Sequence, residues 1–150
     1  MPAVTSTQYA TLADLHRFGA PAAAFGAAVS DGDKNAQLER SSRKIDSALA
    51  RLAPPLTTWG TDIVGATCID AAYELLVAKG LQHPAYDNKE LRTRYEDTIA
   101  GRPGQLSWLE RVAKGEFTPF GAIDQTPDTS EMGPLGWTQA PAGMTQTGTI

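Results

Sequence analysis

Residues 61–80 read TDIVGATCIDAAYELLVAKG, and this stretch decides the fold. Apolar side chains are spread through nearly all of it, so the segment has no wide polar face. A helix of this composition must be covered by other elements on several sides. The stretch therefore predicts a central helix that ends at Gly80, because glycine readily adopts the left-handed backbone found after a helix C-terminus.

The segment before this stretch predicts a long amphipathic helix. Over residues 34–53 the apolar side chains recur at spacings of three, four and seven, as one face of a helix requires. Pro54-Pro55 ends the pattern, since a residue before proline is disfavoured in helical conformation. The predicted apolar stripe consists of Leu38, Ile45, Leu49 and Leu52.

Shorter helices are predicted around these two. Residues 11–14 and 87–90 resemble capping boxes, and the helix that follows the first of them ends at Gly19. Further short helices are expected over 20–29, beginning at Pro21, and over 106–115.

Together these segments predict an all-α fold. Residues 1–115 are expected to be one compact bundle of about five helices, in which residues 1–8 are extended.

Residues 116–150 differ from the rest of the chain. Of these 35 residues, 16 are Pro, Gly or Thr, and no helical periodicity is visible. Such a segment buries too little apolar surface to fold alone, so we interpret it as an extended arm that orders on a partner. The anchors expected to bind that partner are Phe117, Phe120, Ile123, Leu135 and Trp137.

The net charge of −4 lies entirely in this arm. All 13 Lys and Arg precede residue 116, together with 13 of the 17 Asp and Glu. A neutral body argues against tight binding to a nucleic-acid backbone. One stripe of the 34–53 helix carries Arg40, Lys44 and Arg51. This stripe is either a solvated face or a contact face for an acidic partner surface or passing DNA.

Several residues are weak candidates for chemistry. Asp31, Asp33 and Asn35 begin like a calcium loop, but the bidentate Glu needed at its twelfth position is absent. We therefore predict a turn with a helix cap there. The four-residue segment 101–104 is too short for a phosphate loop and is expected to connect two helices.

The isolated titratable residues are also expected to have structural roles. His16 and His83 have no ligand at metal-binding spacing, and Cys68 has no assigned base. Asp70 and Glu74 lie one helical turn apart, so they are an acid–base pair, an exposed edge of the helix, or partners of Lys or Arg from a neighbouring helix. We therefore predict no enzymatic activity, no metal and no cofactor.

The sequence also bears on the compartment. No apolar run is long enough to cross a membrane, and the N-terminus has no pattern of a secretory signal. One cysteine cannot form an internal disulfide. Synthesis in the cytoplasm of the producing cell is expected.

Short motifs in a fixed order carry a family resemblance over about residues 9–115. They are Tyr9-x-Thr11-x-x-Asp14-Leu15, Ser42-x-x-Ile45-Asp46-x-x-Leu49, Ala71-Ala72-Tyr73-x-Leu75 and Trp108-Leu109-x-x-Val112-Ala113-x-Gly115. In this order they resemble the Mu-like head–tail connector, or adaptor, family of tailed bacteriophages. The break at 101–104 and the long arm depart from the family pattern.

The resemblance implies an all-α subunit of a homo-oligomeric ring, generally a dodecamer, in the neck of the virion. Such a ring binds the portal protein and the next neck or tail-completion protein. The genome DNA passes through its lumen without sequence-specific binding. An alternative of another class stays open, namely a small helical partner-binding or regulatory module that uses its tail as a peptide ligand.

Overall fold

The apolar stretch 61–80 forms a helix in the computed structural model, which describes residues 8–52, 54–116 and 118–119. Helix α3 spans Thr61–Tyr73 and continues as a wider π-helical turn over Glu74–Ala78. The Lys79 N–H then donates to the Glu74 carbonyl (3.0 Å), five residues back, as in a π-helix. Gly80 follows with a φ of +69°, which ends the helix as predicted.

Helices α1 and α2 both begin at capping boxes. Helix α1 starts as Leu12–Asp14 and continues as a π-helical turn, Leu15–Gly19. Helix α2 spans Asp31–Ala48 and is followed by a 3-10 turn, Ala50–Leu52. At each start a hydroxyl accepts the N–H three residues on, and the acid there accepts the N–H of the hydroxyl residue.

Helices α4 and α5 complete the bundle. Helix α4 spans Lys89–Tyr95 and continues as a π-helical turn over Glu96–Ala100, and α5 spans Trp108–Ala113. Ser107 caps α5, and its hydroxyl also donates to the carbonyl of Ile99 (3.0 Å). This bond fastens the start of α5 to the end of α4.

Two apolar clusters form the core at opposite ends of α3. The cluster at the C-terminal half of α3 includes Leu15, Leu38, Leu75, Leu76 and Leu91. The cluster at its N-terminal half includes Tyr9, Ile45, Leu49, Ile63 and Val112. The first half of α2 thus meets the second half of α3, so the two helices pack antiparallel.

The all-α prediction is confirmed over the residues that the structure describes, which hold five helices and no strand beyond isolated bridges. Three local predictions are wrong. Residues 20–29 contain only a 3-10 turn, Ala22–Ala24, because the backbone there bonds to residues 81–83 instead of continuing a helix. Helix α2 begins at Asp31 rather than at residue 34, although the expected helix cap is present at Ser30. Helix α4 has no capping box.

Candidate functional site

A layer of polar side chains lies between the two apolar clusters, where α2 packs on α3. At its centre the Asp70 carboxylate is fully buried (0% exposed). The Ser41 hydroxyl donates to one of its oxygens (2.6 Å), and the Lys44 ammonium donates to the other (2.7 Å). Both carboxylate oxygens are therefore bonded by side chains of α2, as the burial of a charge requires.

Glu74 extends this layer towards solvent. Its carboxylate lies 3.6 Å from the Lys44 ammonium, which is thus shared by two acids. Burial works to lower the pKa of Lys44, but the hydrogen bond and charge of Asp70, helped by Tyr95 and Glu74, outweigh burial and raise that pKa. Lys44 is held in its charged form.

The polar layer is suited to joining α2 to α3 rather than to acid–base chemistry. Of the interpretations open for Asp70 and Glu74, the structure shows pairing with a lysine of a neighbouring helix. A general base must reach the proton that it abstracts. The oxygens of Asp70 are instead enclosed and bonded to other side chains.

Tyr9 fastens the start of the chain to the body. Its hydroxyl donates to the Asp46 carboxylate and accepts the N–H of Leu56 (3.0 Å). Its carbonyl accepts from the indole of Trp59 (3.0 Å), and the two rings meet edge to face with centroids 4.7 Å apart. Burial raises the pKa of the Tyr9 hydroxyl, and the Asp46 bond raises it further. Tyr9 therefore ties α2 to the loop that precedes α3.

Lys34 occupies an unusual position for a cation, because it is only 7% exposed. Its ammonium lies 3.1 Å from Nε2 of His16, 3.9 Å from the Asp31 carboxylate and 4.7 Å from the centroid of the Phe25 ring. The ammonium is a donor only, so His16 accepts through an unprotonated Nε2. Burial lowers the pKa of His16, the Lys34 charge lowers it further, and Asp31 opposes them.

This geometry predicts that acid weakens the fold through His16. The unfolded chain takes up the imidazole proton near its ordinary pKa of about 6.5, whereas the folded chain resists it. The free energy of unfolding is therefore expected to fall as the pH drops through about 6.5. Urea titrations between about pH 7.5 and 5.5 should show a shallower fall in His16→Gln than in the parent. Equal slopes in His16→Gln and the parent would refute the prediction.

The predicted charged face consists of side chains that already have partners in the chain. Arg40 donates to the amide oxygen of Gln37 (2.9 Å), and Lys44 belongs to the polar layer. Arg51 donates to the carbonyl of Val112 (3.4 Å) and to the Thr118 hydroxyl (3.5 Å). Contact of this face with an acidic partner or DNA stays a prediction.

The predicted arm anchors, Phe117, Phe120, Ile123, Leu135 and Trp137, lie outside the described residues. The structure does show where the arm starts. Pro119 is buried, and Thr118 contacts Arg51 just beyond the end of α2. Residues 118–119 thus lie beside the C-terminal end of α2. We call residues 118–119 the arm root.

A surface that sequence analysis missed lies at the other end of α2. The Gly26 N–H donates to the carbonyl of Leu81 (2.7 Å), and the His83 N–H donates to that of Ala24 (2.8 Å). These bonds join two loops that carry no Asp, Glu, Lys or Arg, residues 19–30 and 80–86. Their exposed apolar residues form what we call the uncharged face: Pro21, Ala22, Ala23, Ala27, Ala28, Pro84 and Ala85.

The other candidates for chemistry lie in helices or in the connections between them, in the part of the chain that the structure describes. No three His, Cys, Asp or Glu side chains there are placed to hold a metal ion. Burial raises the pKa of the Cys68 thiol to about 12. Residues 101–104 connect α4 to α5, where Arg102 pairs with Asp97 (2.8 Å). No described helix has the length and hydropathy needed to cross a membrane.

Comparison with known proteins gives one match. The model of a protein family described as Bacteriophage Mu, Gp36 matches residues 4–134. The match includes the whole helical body and the first part of the arm. No curated protein and no solved structure matches the chain.

Proposed function

The chain belongs to the bacteriophage Mu Gp36 family, and from this premise we propose that it is a head–tail adaptor, a structural protein of the virion neck. In this role copies of the chain form a closed ring under the portal, and the resemblance implies a dodecamer. The ring joins the DNA-filled head to the next neck or tail-completion protein, and the genome passes through its lumen.

The observation that carries the proposal is the position of two unlike surfaces at opposite ends of α2. The uncharged face lies at the N-terminal end of this 18-residue helix and the arm root at its C-terminal end. At 1.5 Å per residue the ends are about 27 Å apart. Rings are built by head-to-tail contacts between two different surfaces, whereas a two-fold dimer uses one surface twice. The subunit thus offers what a ring requires.

The charge distribution also supports a DNA passage. Residues 1–115 carry as many acidic as basic side chains. A strongly basic lumen would bind the phosphate backbone and hold the genome back. A ring whose lumen is lined by neutral bodies lets DNA pass.

The proposal is tested in a phage that encodes this chain. A stop codon early in the gene is expected to give DNA-filled heads and separate tails that do not join, and the wild-type chain supplied in trans should restore joined particles. In restored particles an N-terminal tag on the chain should be located at the neck by electron microscopy. Joined particles without the chain, or a tag found elsewhere on the virion, would refute the adaptor role.

A further inference from the structure

The uncharged face contains a cleft that is shaped for an apolar side chain. Its volume is about 530 Å³, and its walls come from both joined loops. Phe25 and Tyr86 supply the aromatic surface, while Pro21, Ala23 and Ala85 form the rim. His83 is the one residue of its lining with an imidazole, and most of the other lining residues are apolar. An occupant here gains free energy mainly from burying apolar surface.

The cleft is already formed in the free subunit. The two loops are held together by the backbone bonds of Gly26 and His83, and a Cβ on Gly26 would lie only 2.7 Å from the Leu81 carbonyl oxygen. The Lys34 ammonium lies over the Phe25 ring, 4.7 Å from its centroid, and helps to fix the position of the ring. A preformed cleft binds its ligand without first ordering its own walls.

The arm contains a segment of matching chemistry. All four of its acids lie between residues 116 and 131, and residues 132–150 carry no Asp, Glu, Lys or Arg. That uncharged part begins Met132-Gly-Pro-Leu135-Gly-Trp137, with the largest side chain of the arm at its end. Trp buries up to about 250 Å² when it is enclosed.

We propose that residues 132–137 of one copy dock in the cleft of the neighbouring copy, with the Trp137 ring packed against Phe25 and Tyr86. This inference rests on the proposed ring and names the contact between its subunits. Trp137 lies outside residues 4–134, which the family model matches.

The geometry favours docking in the cleft of the neighbouring copy over docking in the cleft of the same copy. The arm root and the cleft lie at opposite ends of α2, so docking within one copy requires the arm to turn back along the whole body. Head-to-tail packing instead brings the root of one copy towards the cleft of the next. From Pro119 to Trp137 the chain spans about 60 Å when extended, at roughly 3.3 Å per residue. This length exceeds the ~27 Å of α2.

Cysteine cross-linking in phage particles tests the contact. Two variants of the full chain, Ala85→Cys at the cleft and Gly136→Cys in the arm, are supplied together in trans to the phage with the stop codon. The phage particles are then purified and oxidised. A disulfide-linked dimer of the two variants is expected. The matched control pairs Gly136→Cys with Ala50→Cys, an exposed alanine at the other end of α2, and should give no dimer. The parent has only the buried Cys68 and should give none either.

Substitutions of the tryptophan test its side chain. Adding Trp137→Ala to the Gly136→Cys chain should abolish the cross-link, and Trp137→Phe should restore most of it, because an aromatic ring still fills the cleft.

The outcomes separate this inference from the proposed function. If the chain is present at the neck but the Ala85–Gly136 dimer is absent, the docking is refuted and the adaptor role stands. A third variant carries both Ala85→Cys and Gly136→Cys; an internal disulfide in this variant, without a dimer of the two single variants, means docking within one copy and also refutes it. If the chain is absent from particles, the adaptor role fails, and the same mixture is oxidised as concentrated purified protein. There a dimer supports the contact, and its absence refutes it.

Discussion

Replacing Lys44 by methionine is expected to lower the free energy of unfolding by about 2 kcal/mol. The variant leaves the fully buried Asp70 carboxylate with the Ser41 hydroxyl as its remaining side-chain partner. Removing one member of a fully buried ion pair costs about 3–5 kcal/mol. The smaller value is expected here because 42% of the Lys44 side chain is exposed, so water screens part of the interaction. Urea denaturation with an unchanged m-value measures the effect.

The neighbouring residue provides a matched control for this prediction. Arg43 pairs with Glu39 on the exposed side of the same helix, so Arg43→Met should cost less than about 0.5 kcal/mol. Adding Asp70→Asn to Lys44→Met should recover part of the lost stability, because the unpaired charge is then removed. Equal losses in Lys44→Met and Arg43→Met would show that the polar layer does not stabilise the fold.

Replacing Gly19 by alanine is expected to destabilise the protein by about 1–3 kcal/mol. A Cβ at this position would lie 2.7 Å from the carbonyl oxygen of Cys68 and 3.1 Å from Cβ of Ala72. Both atoms belong to the C-terminal half of α3, so α1 would have to move away from the central helix. The higher helix propensity of alanine, worth up to about 1 kcal/mol, does not offset this overlap.

Gly65 tests the same substitution without the overlap. It lies within α3, and an added Cβ would meet no atom within 4 Å. Gly65→Ala is therefore expected to stabilise the protein by about 0.5–1 kcal/mol. The two variants should shift the urea midpoint in opposite directions. A stabilising Gly19→Ala would contradict the close packing of α1 on α3.

Most of the helical elements could be predicted because their signals are local. The apolar composition of 61–80 identified the central helix, and the capping box at Thr11 and the glycines at 19, 80 and 115 marked helix ends correctly. The prediction failed at 20–29, where alanines with good helix propensity form only one 3-10 turn. Hydrogen bonds to residues 81–83 decide the conformation there. No local pattern predicts partners so distant in sequence.

The candidate surfaces likewise include some that the sequence predicted and some that it did not. The arm was evident from composition, and the family resemblance gave the connector hypothesis. The uncharged face was missed, although one signal was available, since the two loops that form it lack charged residues. Nothing local indicates that these loops meet. Likewise, Asp70 and Glu74 look alike in sequence, but only Asp70 is fully buried.

The sequence alone thus determined the all-α class, the central position of the 61–80 helix and the concentration of net charge in the arm. Each follows from composition or from periodicity within one segment, and both can be counted directly in the sequence. The tertiary structure alone decided that Lys44 bonds Asp70, that Lys34 lies under Phe25, and that two distant loops form one uncharged face. These are contacts between segments, and they depend on how helices pack in three dimensions rather than on the preferences of any one segment.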